Sequence, residues 1–193
     1  MNLANRLTLS RFYLTLGFVA ALSIDVPYRF TAALLIFLVA GITDYADGEV
    51  ARRFNMQSDF GRLMDPLVDK IMMAAAFICL VPLRAIPAWA ATVIVSREFL
   101  ITGLRLLAAS KGRVLSAEKL GKHKTAWQII TAIFFLLMLS VRELSAFAAF
   151  SAGPIYEGLW KWGGQVLLAI TIALTLISGA GYLWKNWALV GQQ

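Results

Sequence analysis

Residues 44–69 read DYADGEVARRFNMQSDFGRLMDPLVD, and the four aspartates at positions 44, 47, 65 and 69 lie in and between two strongly apolar stretches. Each carboxylate placed near a bilayer core costs on the order of 2.5–3.5 kcal/mol on insertion scales. Four negative charges so close together would also repel one another unless cations lay among them. Hard divalent cations such as Mg2+ prefer carboxylate oxygen, and two of them would cancel the four charges.

The spacing of the aspartates agrees with a metal site. Asp44 and Asp47 are three residues apart, and Asp65 and Asp69 are four apart, so each pair shares one face of a helix. Two such helices packed face to face would form a dinuclear site at the membrane edge. The predicted ligands are therefore these four aspartates. Mg2+ is the expected cation, and Mn2+ or even Zn2+ remains an alternative.

The composition predicts an integral membrane protein of one all-α domain, residues 1–193. The chain is 60% apolar and 15% charged, and its mean hydropathy is +0.72, far from a soluble globular composition. Apolar segments cover residues 12–24, 30–43, 67–83, 86–107, 126–141 and 164–184. Some are shorter than the roughly 20 residues that a span needs, so we expect them to extend into flanking polar residues. We predict six transmembrane helices.

The distribution of basic residues predicts the orientation. If both termini are cytoplasmic, fourteen of the eighteen Lys and Arg fall on the inner side, and only Arg29, Arg84, Arg142 and Lys161 fall outside. This asymmetry is what the positive-inside rule requires. All four aspartates then lie near the cytoplasmic ends of the second and third helices, so the site is predicted to face the cytoplasm.

Written as a pattern, the aspartate stretch reads D-x2-D-G-x2-A-R-x8-G-x3-D-x3-D. It resembles the signature of the CDP-alcohol phosphotransferase family with no member missing. The start, MNLANRLTLSR, and residues 96–128 are similar to the bacterial branch of that family whose acceptor is sn-glycerol 3-phosphate. The resemblance covers about the first 135 residues, whereas the last third is generic apolar sequence.

The resemblance implies a metal-dependent enzyme of phospholipid biosynthesis in the bacterial inner membrane. Its members transfer the phosphatidyl group of CDP-diacylglycerol to an alcohol and release CMP; here the product would be phosphatidylglycerophosphate. They are similar in being six-helix homodimers with a dinuclear site in each protomer. The expected partners are the two substrates, membrane lipids and a second copy of the chain, and no nucleic acid.

The resemblance also assigns roles to residues. Asp69 is the proposed general base, in addition to being a metal ligand. The CDP-diacylglycerol contacts carried over from the family or inferred beside them are Asn5, Thr8, Gly48, Ala51, Arg52 and Gly61. The glycines and the alanine are small enough for a nucleotide to approach the backbone closely, and the guanidinium of Arg52 can pair with phosphate bidentately.

The acceptor site is predicted from basic residues, since an acceptor with its own phosphate requires cations besides the metals. The candidates are Arg97, Arg105, Lys122 and Lys124. Arg97 and Arg105 are eight residues apart in or beside an apolar helix, so both occupy one face. Glu98 is either an ion-pair partner of Arg97 or a residue that orders the pocket, and the sequence does not decide between these.

Three alternatives remain open. A sibling enzyme would use inositol phosphate, serine or phosphatidylglycerol as acceptor; the basic residues disfavour serine, but only the resemblance disfavours inositol phosphate. A transporter or channel would use the aspartates as its ion site and would need polar residues across the membrane. The outer halves of the second and third helices, AALLIFLVA and IMMAAAFICLV, offer none. A purely structural cation site is the third alternative.

Overall fold

The computed structural model describes residues 3–54, 59–110, 112 and 119–186, with side chains described for residues 9–43, 68, 70–110, 112, 121 and 123–186. Within this part of the chain every regular element is helical, which confirms the all-α prediction. The long helices are α1 (Leu3–Ser23), α2 (Arg29–Phe54), α3 (Asp59–Leu80), α4 (Ala88–Ser110) and α5 (Lys119–Glu143). A 3-10 turn (Ser145–Phe147), α6 (Ala148–Ser151), α7 (Pro154–Gly158), a π-helical turn (Leu159–Gly163) and α8 (Gly164–Lys185) complete the fold.

The early helices are longer than their apolar segments, as expected. α2 continues from its apolar part to Phe54, so Asp44 and Asp47 lie within the helix. α3 begins at Asp59, so Asp65 and Asp69 lie in its first half. The last helix also differs from its predicted range, because helical structure runs without a break from Pro154 to Lys185. Pro154 lies in the first turn of this segment, where the fixed φ of proline is preorganised for a helix.

The turns between helices lie where the sequence predicts them. The links after α1 and α3 contain Pro27 and Pro82, and each has a non-glycine residue with positive φ, Tyr28 at 61° and Arg84 at 56°. Gly112 has a φ of 67°, and its N–H donates to the carbonyl of Ala109 just past the end of α4. A left-handed glycine just past the last turn commonly ends a helix, so Gly112 accounts for the end of α4.

The helices pack around two apolar clusters that share α3 and α5. The first is formed by α1, α2, α3 and α5, with Phe18 and Ala76 fully buried at its centre. The second joins α3, α4, α5 and α8 through Phe77, Ile94 and Phe135. Because α1 packs against both α2 and α3, it brings the two aspartate-bearing helices into one group.

Two helical segments among the described residues are long and apolar enough to cross a membrane, His123–Glu143 and Pro154–Lys185. Shorter apolar helical segments are Leu9–Ser23, Arg29–Thr43 and Lys70–Leu80.

Candidate active site

The aspartate motif lies on two helices that both pack against α1. Helix α2 contains Asp44, Asp47, Gly48, Ala51 and Arg52, and α3 contains Gly61, Asp65 and Asp69. Helix α1 contains Asn5 and Thr8. Their side chains lie outside those that the structure describes, so their roles stay predictions. The described side chains contain no cluster of acidic, His or Cys residues that could hold a metal. As a donor set, four carboxylates on neighbouring helices suit hard divalent cations.

The described part of the site is organised by one buried carboxylate, that of Glu98 on α4. Its Oε2 accepts a hydrogen bond from Lys70 Nζ of α3 at 3.1 Å. Its Oε1 pairs with Arg97 Nη1 at 3.2 Å and with Lys124 Nζ of α5. Glu98 and Lys124 are only 6% and 2% exposed. We call Lys70, Arg97, Glu98 and Lys124 the Glu98 cluster; it ties three helices together beside the end of α3 that carries the aspartates.

The Glu98 cluster has three cations and one anion, which leaves an excess of two positive charges. Burial of charged side chains costs free energy unless they are paired with opposite charges or bind a ligand. Lys70 follows Asp69 directly on α3, so the cluster includes the residue after the last predicted metal ligand. The arrangement suits the binding of an anion close to those ligands.

Arg97 is held from the other side by α8. Its Nη2 donates to the hydroxyl of Ser178 at 3.1 Å, and its aliphatic part lies on Gly179, where an added Cβ would be 3.1 Å from Arg97 Cγ. Both terminal nitrogens of Arg97 therefore already have protein partners, since the other pairs with Glu98. Its Nε is buried and has no partner among the described atoms.

Arg105 lies two turns further along α4 and also contacts α8. Its Nε donates to the hydroxyl of Tyr182 at 3.1 Å, and its guanidinium carbon is 5.2 Å from the centre of the Tyr182 ring. These contacts fix the guanidinium plane through one nitrogen. Within the described part of the chain its two terminal nitrogens have no hydrogen-bond or ion-pair partner, and this pair is the fork that binds phosphate bidentately.

Comparison with known proteins agrees with the motif. The family model of the CDP-alcohol phosphatidyltransferases matches residues 1–190. The chain belongs to the CDP-alcohol phosphatidyltransferase family. It is 36% identical over 198 residues to the CDP-diacylglycerol--glycerol-3-phosphate 3-phosphatidyltransferase of Bacillus subtilis, with 96% of this chain and 95% of the relative covered. It is 35% identical to a probable phosphatidylglycerophosphate synthase of Mycobacterium tuberculosis (98% and 84% covered) and 29% identical to the CDP-diacylglycerol--glycerol-3-phosphate 3-phosphatidyltransferase of Rickettsia felis (94% and 93%).

For this CDP-alcohol phosphatidyltransferase, the structure relates three of the four predicted acceptor residues to one another. Arg97 and Lys124 meet at Glu98, and Arg97 and Arg105 both contact α8 from one face of α4, as their spacing predicts. The Lys122 side chain lies outside the described ones. Of the two roles left open for Glu98, ion pairing with Arg97 is confirmed.

The sequence analysis missed the contribution of α8 and of Lys70. It treated the last third as generic apolar sequence, yet Ser178 and Tyr182 hold the two arginines. One signal was present: small and hydroxyl-bearing residues interrupt the apolar run ISGAGY, and such residues mark close helix contacts in membranes. Lys70 was counted only among the basic residues of the inner side, although it directly follows the motif aspartate Asp69.

Proposed function

We propose that this chain transfers the phosphatidyl group from CDP-diacylglycerol to sn-glycerol 3-phosphate, giving phosphatidylglycerophosphate and CMP. The proposal is supported by the complete aspartate motif and by the activities for which the relatives from B. subtilis and R. felis are named. Further support comes from the positive excess of the Glu98 cluster, the single structural observation that carries the acceptor assignment.

The acceptor phosphate would bind between the Glu98 cluster and Arg105. The terminal nitrogens of Arg105 supply the direct contact, because Tyr182 occupies only its Nε. Arg97 and Lys124 are engaged by Glu98, so they contribute mainly through their charge and by fixing the wall of the pocket. Lys122, two residues before Lys124, is the fourth proposed contact.

The reaction forms one P–O bond and breaks another. The acceptor hydroxyl, deprotonated by Asp69, attacks the phosphorus that carries the diacylglycerol oxygen. The pyrophosphate bond breaks, and the electron pair leaves with CMP. Arg52 stabilises the charge that passes to CMP, while Asn5, Thr8, Gly48, Ala51 and Gly61 bind the CDP group.

Two divalent cations would be held by Asp44, Asp47, Asp65 and Asp69, and when bound they supply charge neutralisation for the attacking and leaving oxygens. Mg2+ is the proposed physiological ion, and Mn2+ is its closest substitute. The remaining steps, holding the acceptor and moving its proton, belong to the residues of this chain.

We also propose six membrane spans with both termini and the site on the cytoplasmic side of a bacterial inner membrane. The two long apolar segments and the asymmetric distribution of basic residues support this topology. A homodimer is proposed from the family resemblance alone.

The test is CMP release from CDP-diacylglycerol by purified protein with Mg2+, with glycerol 3-phosphate, inositol phosphate, serine or phosphatidylglycerol as acceptor. Release with glycerol 3-phosphate alone supports the proposal. Release with another acceptor alone keeps the reaction type and overturns the acceptor assignment. If folded protein releases CMP with none of them, the enzymatic proposal is wrong, and the aspartates are then expected to form the ion site of a transporter or channel or a structural cation site.

A further inference from the structure

A second basic site lies at the other end of the helix group. A cavity of about 860 Å³ opens where α3 ends, α4 begins and α5 ends. It is lined by three cations from three separate segments, Arg84, Arg142 and Lys161, and by one carboxylate, Glu157. It is remote from the aspartate motif, because Asp69 and Leu80 are eleven residues apart on α3, about 16 Å along the helix axis.

The three cations are available to a ligand. None of them has a carboxylate within ion-pair distance among the described side chains. Arg29, the fourth basic residue predicted for this side of the membrane, behaves differently: it pairs with Asp25 at 2.9 Å and does not line the cavity. With Glu157 included, the cavity keeps an excess of two positive charges.

The backbone around the cavity is unusual at two of these cations. Arg84 has a φ of 56°, in the left-handed region that an arginine rarely adopts. Lys161 lies in the π-helical turn Leu159–Gly163 between α7 and α8. Strained φ values and π-helical turns are frequent at functional sites.

The position of the cavity matches the headgroup region of a bilayer. Both span candidates have one end there: His123–Glu143 ends beside Arg142, and Pro154–Lys185 begins seven residues before Lys161. The second segment has 32 residues, about 48 Å of helix, against a hydrocarbon core of about 30 Å. Its surplus length allows the π-helical turn to lie outside the hydrocarbon while α8 crosses it.

The cavity wall is also suited to an amphiphile. Trp160 and Leu168 line it beside the cations, and the neighbouring Trp162 is 64% exposed. Aromatic rings of this kind concentrate at the membrane–water interface. A free inorganic anion would use the cations but leave this apolar wall uncovered.

We propose that the cavity lined by Arg84, Arg142 and Lys161 binds the phosphate of an anionic phospholipid, in the leaflet opposite the aspartate motif. The phosphate contacts the three cations, and the glycerol and the first part of the acyl chains cover Trp160 and Leu168. The site is separate from the proposed reaction and does not depend on it.

The experiment is native mass spectrometry of the full chain released from nanodiscs that contain equal amounts of phosphatidylglycerol and phosphatidylcholine. The variants are Arg142→Ala/Lys161→Ala, Glu157→Gln, and Arg29→Ala as the matched control. The wild-type chain should retain phosphatidylglycerol in preference to phosphatidylcholine. The double variant should lower that retention about tenfold, since two charge-assisted contacts are lost. Glu157→Gln should raise it, because a negative charge facing the phosphate is removed, and Arg29→Ala should leave it unchanged.

Three results would overturn the proposal. Equal retention of the two lipids would show that the cavity does not select a net negative headgroup. An equal loss in Arg29→Ala would show a general charge effect. Displacement of the lipid by millimolar inorganic phosphate would assign the cavity to a free anion. CMP release by the same variants, measured in parallel, should match that of the wild-type chain and shows that they are folded.

Discussion

The Glu98 cluster makes a sharp prediction about two carboxylate ion pairs in the same chain. Asp25 pairs with Arg29 at 2.9 Å, and the Asp25 side chain is 92% exposed. Glu98 pairs at 3.1 Å with Lys70 and at 3.2 Å with Arg97, and its side chain is 7% exposed. We therefore compare Glu98→Gln with Asp25→Asn, since each removes one negative charge and keeps the shape of the side chain.

The expected losses in the free energy of unfolding differ because the two carboxylates differ in burial. An exposed ion pair contributes about 1 kcal/mol or less, since solvent screens it. Removal of one member of a buried pair costs about 3–5 kcal/mol, because an unpaired charge remains out of water. Glu98→Gln leaves three cations facing one another, so we place its loss in the free energy of unfolding at the upper end of that range.

The assay is SDS-induced unfolding in mixed micelles, with wild type and both variants in one buffer. Steady-state CMP release, at a temperature where all three are folded, gives KM for each substrate. Glu98→Gln should raise KM for the acceptor about tenfold, because Arg97 and Lys124 lose the carboxylate that fixes them in the pocket wall. It should leave KM for CDP-diacylglycerol near the wild-type value. If Glu98→Gln destabilises the protein no more than Asp25→Asn does, Glu98 does not hold the cluster together, and the acceptor pocket must be reassigned.

Three further predictions concern the site. Asp69→Asn should abolish CMP release while CDP-diacylglycerol binding, measured by equilibrium binding, is retained; near-normal turnover would remove Asp69 as the base. Arg105→Ala should raise KM for the acceptor by at least about tenfold, and a larger effect on the donor would contradict the assignment. Gly179→Ala should also raise the acceptor KM, because the new methyl group displaces Arg97. Gly181→Ala is its matched control, since a Cβ there meets nothing within 4 Å; equal effects of the two would contradict the reasoning.

Local signals account for what the sequence could predict. Apolar segments broken by prolines located the helices, and Gly112 marked the end of α4, because helix formation and termination depend on neighbours a few residues away. The aspartate spacing placed each pair on one helix face for the same reason. The predicted positions of the turns are correct even where a helix is longer than its apolar segment, since a helix can continue into polar sequence.

Contacts between distant segments could not be predicted in this way. Arg97 and Ser178 are 81 residues apart, and the small residues around Ser178 indicate a close helix contact without identifying its partner. Which basic residues are held by protein partners, and which can bind a ligand, depends on the same kind of contact. The positions of Glu98 and Tyr182 show that Arg97 and Lys124 are engaged by protein partners, whereas the terminal nitrogens of Arg105 have no partner among the described residues.

The charges of the site favour a phosphorylated acceptor over a neutral one. In the proposed site, four aspartates and two divalent cations would cancel, and the excess of two positive charges in the Glu98 cluster would face the acceptor. A phosphate monoester carries about −1.5 to −2 at neutral pH and neutralises that excess almost fully. Serine carries no net charge, and phosphatidylglycerol carries a single one, so either would leave positive charge uncompensated in a poorly solvated pocket. Glycerol 3-phosphate and inositol phosphate satisfy this balance equally, and the shape of the pocket must therefore decide between them.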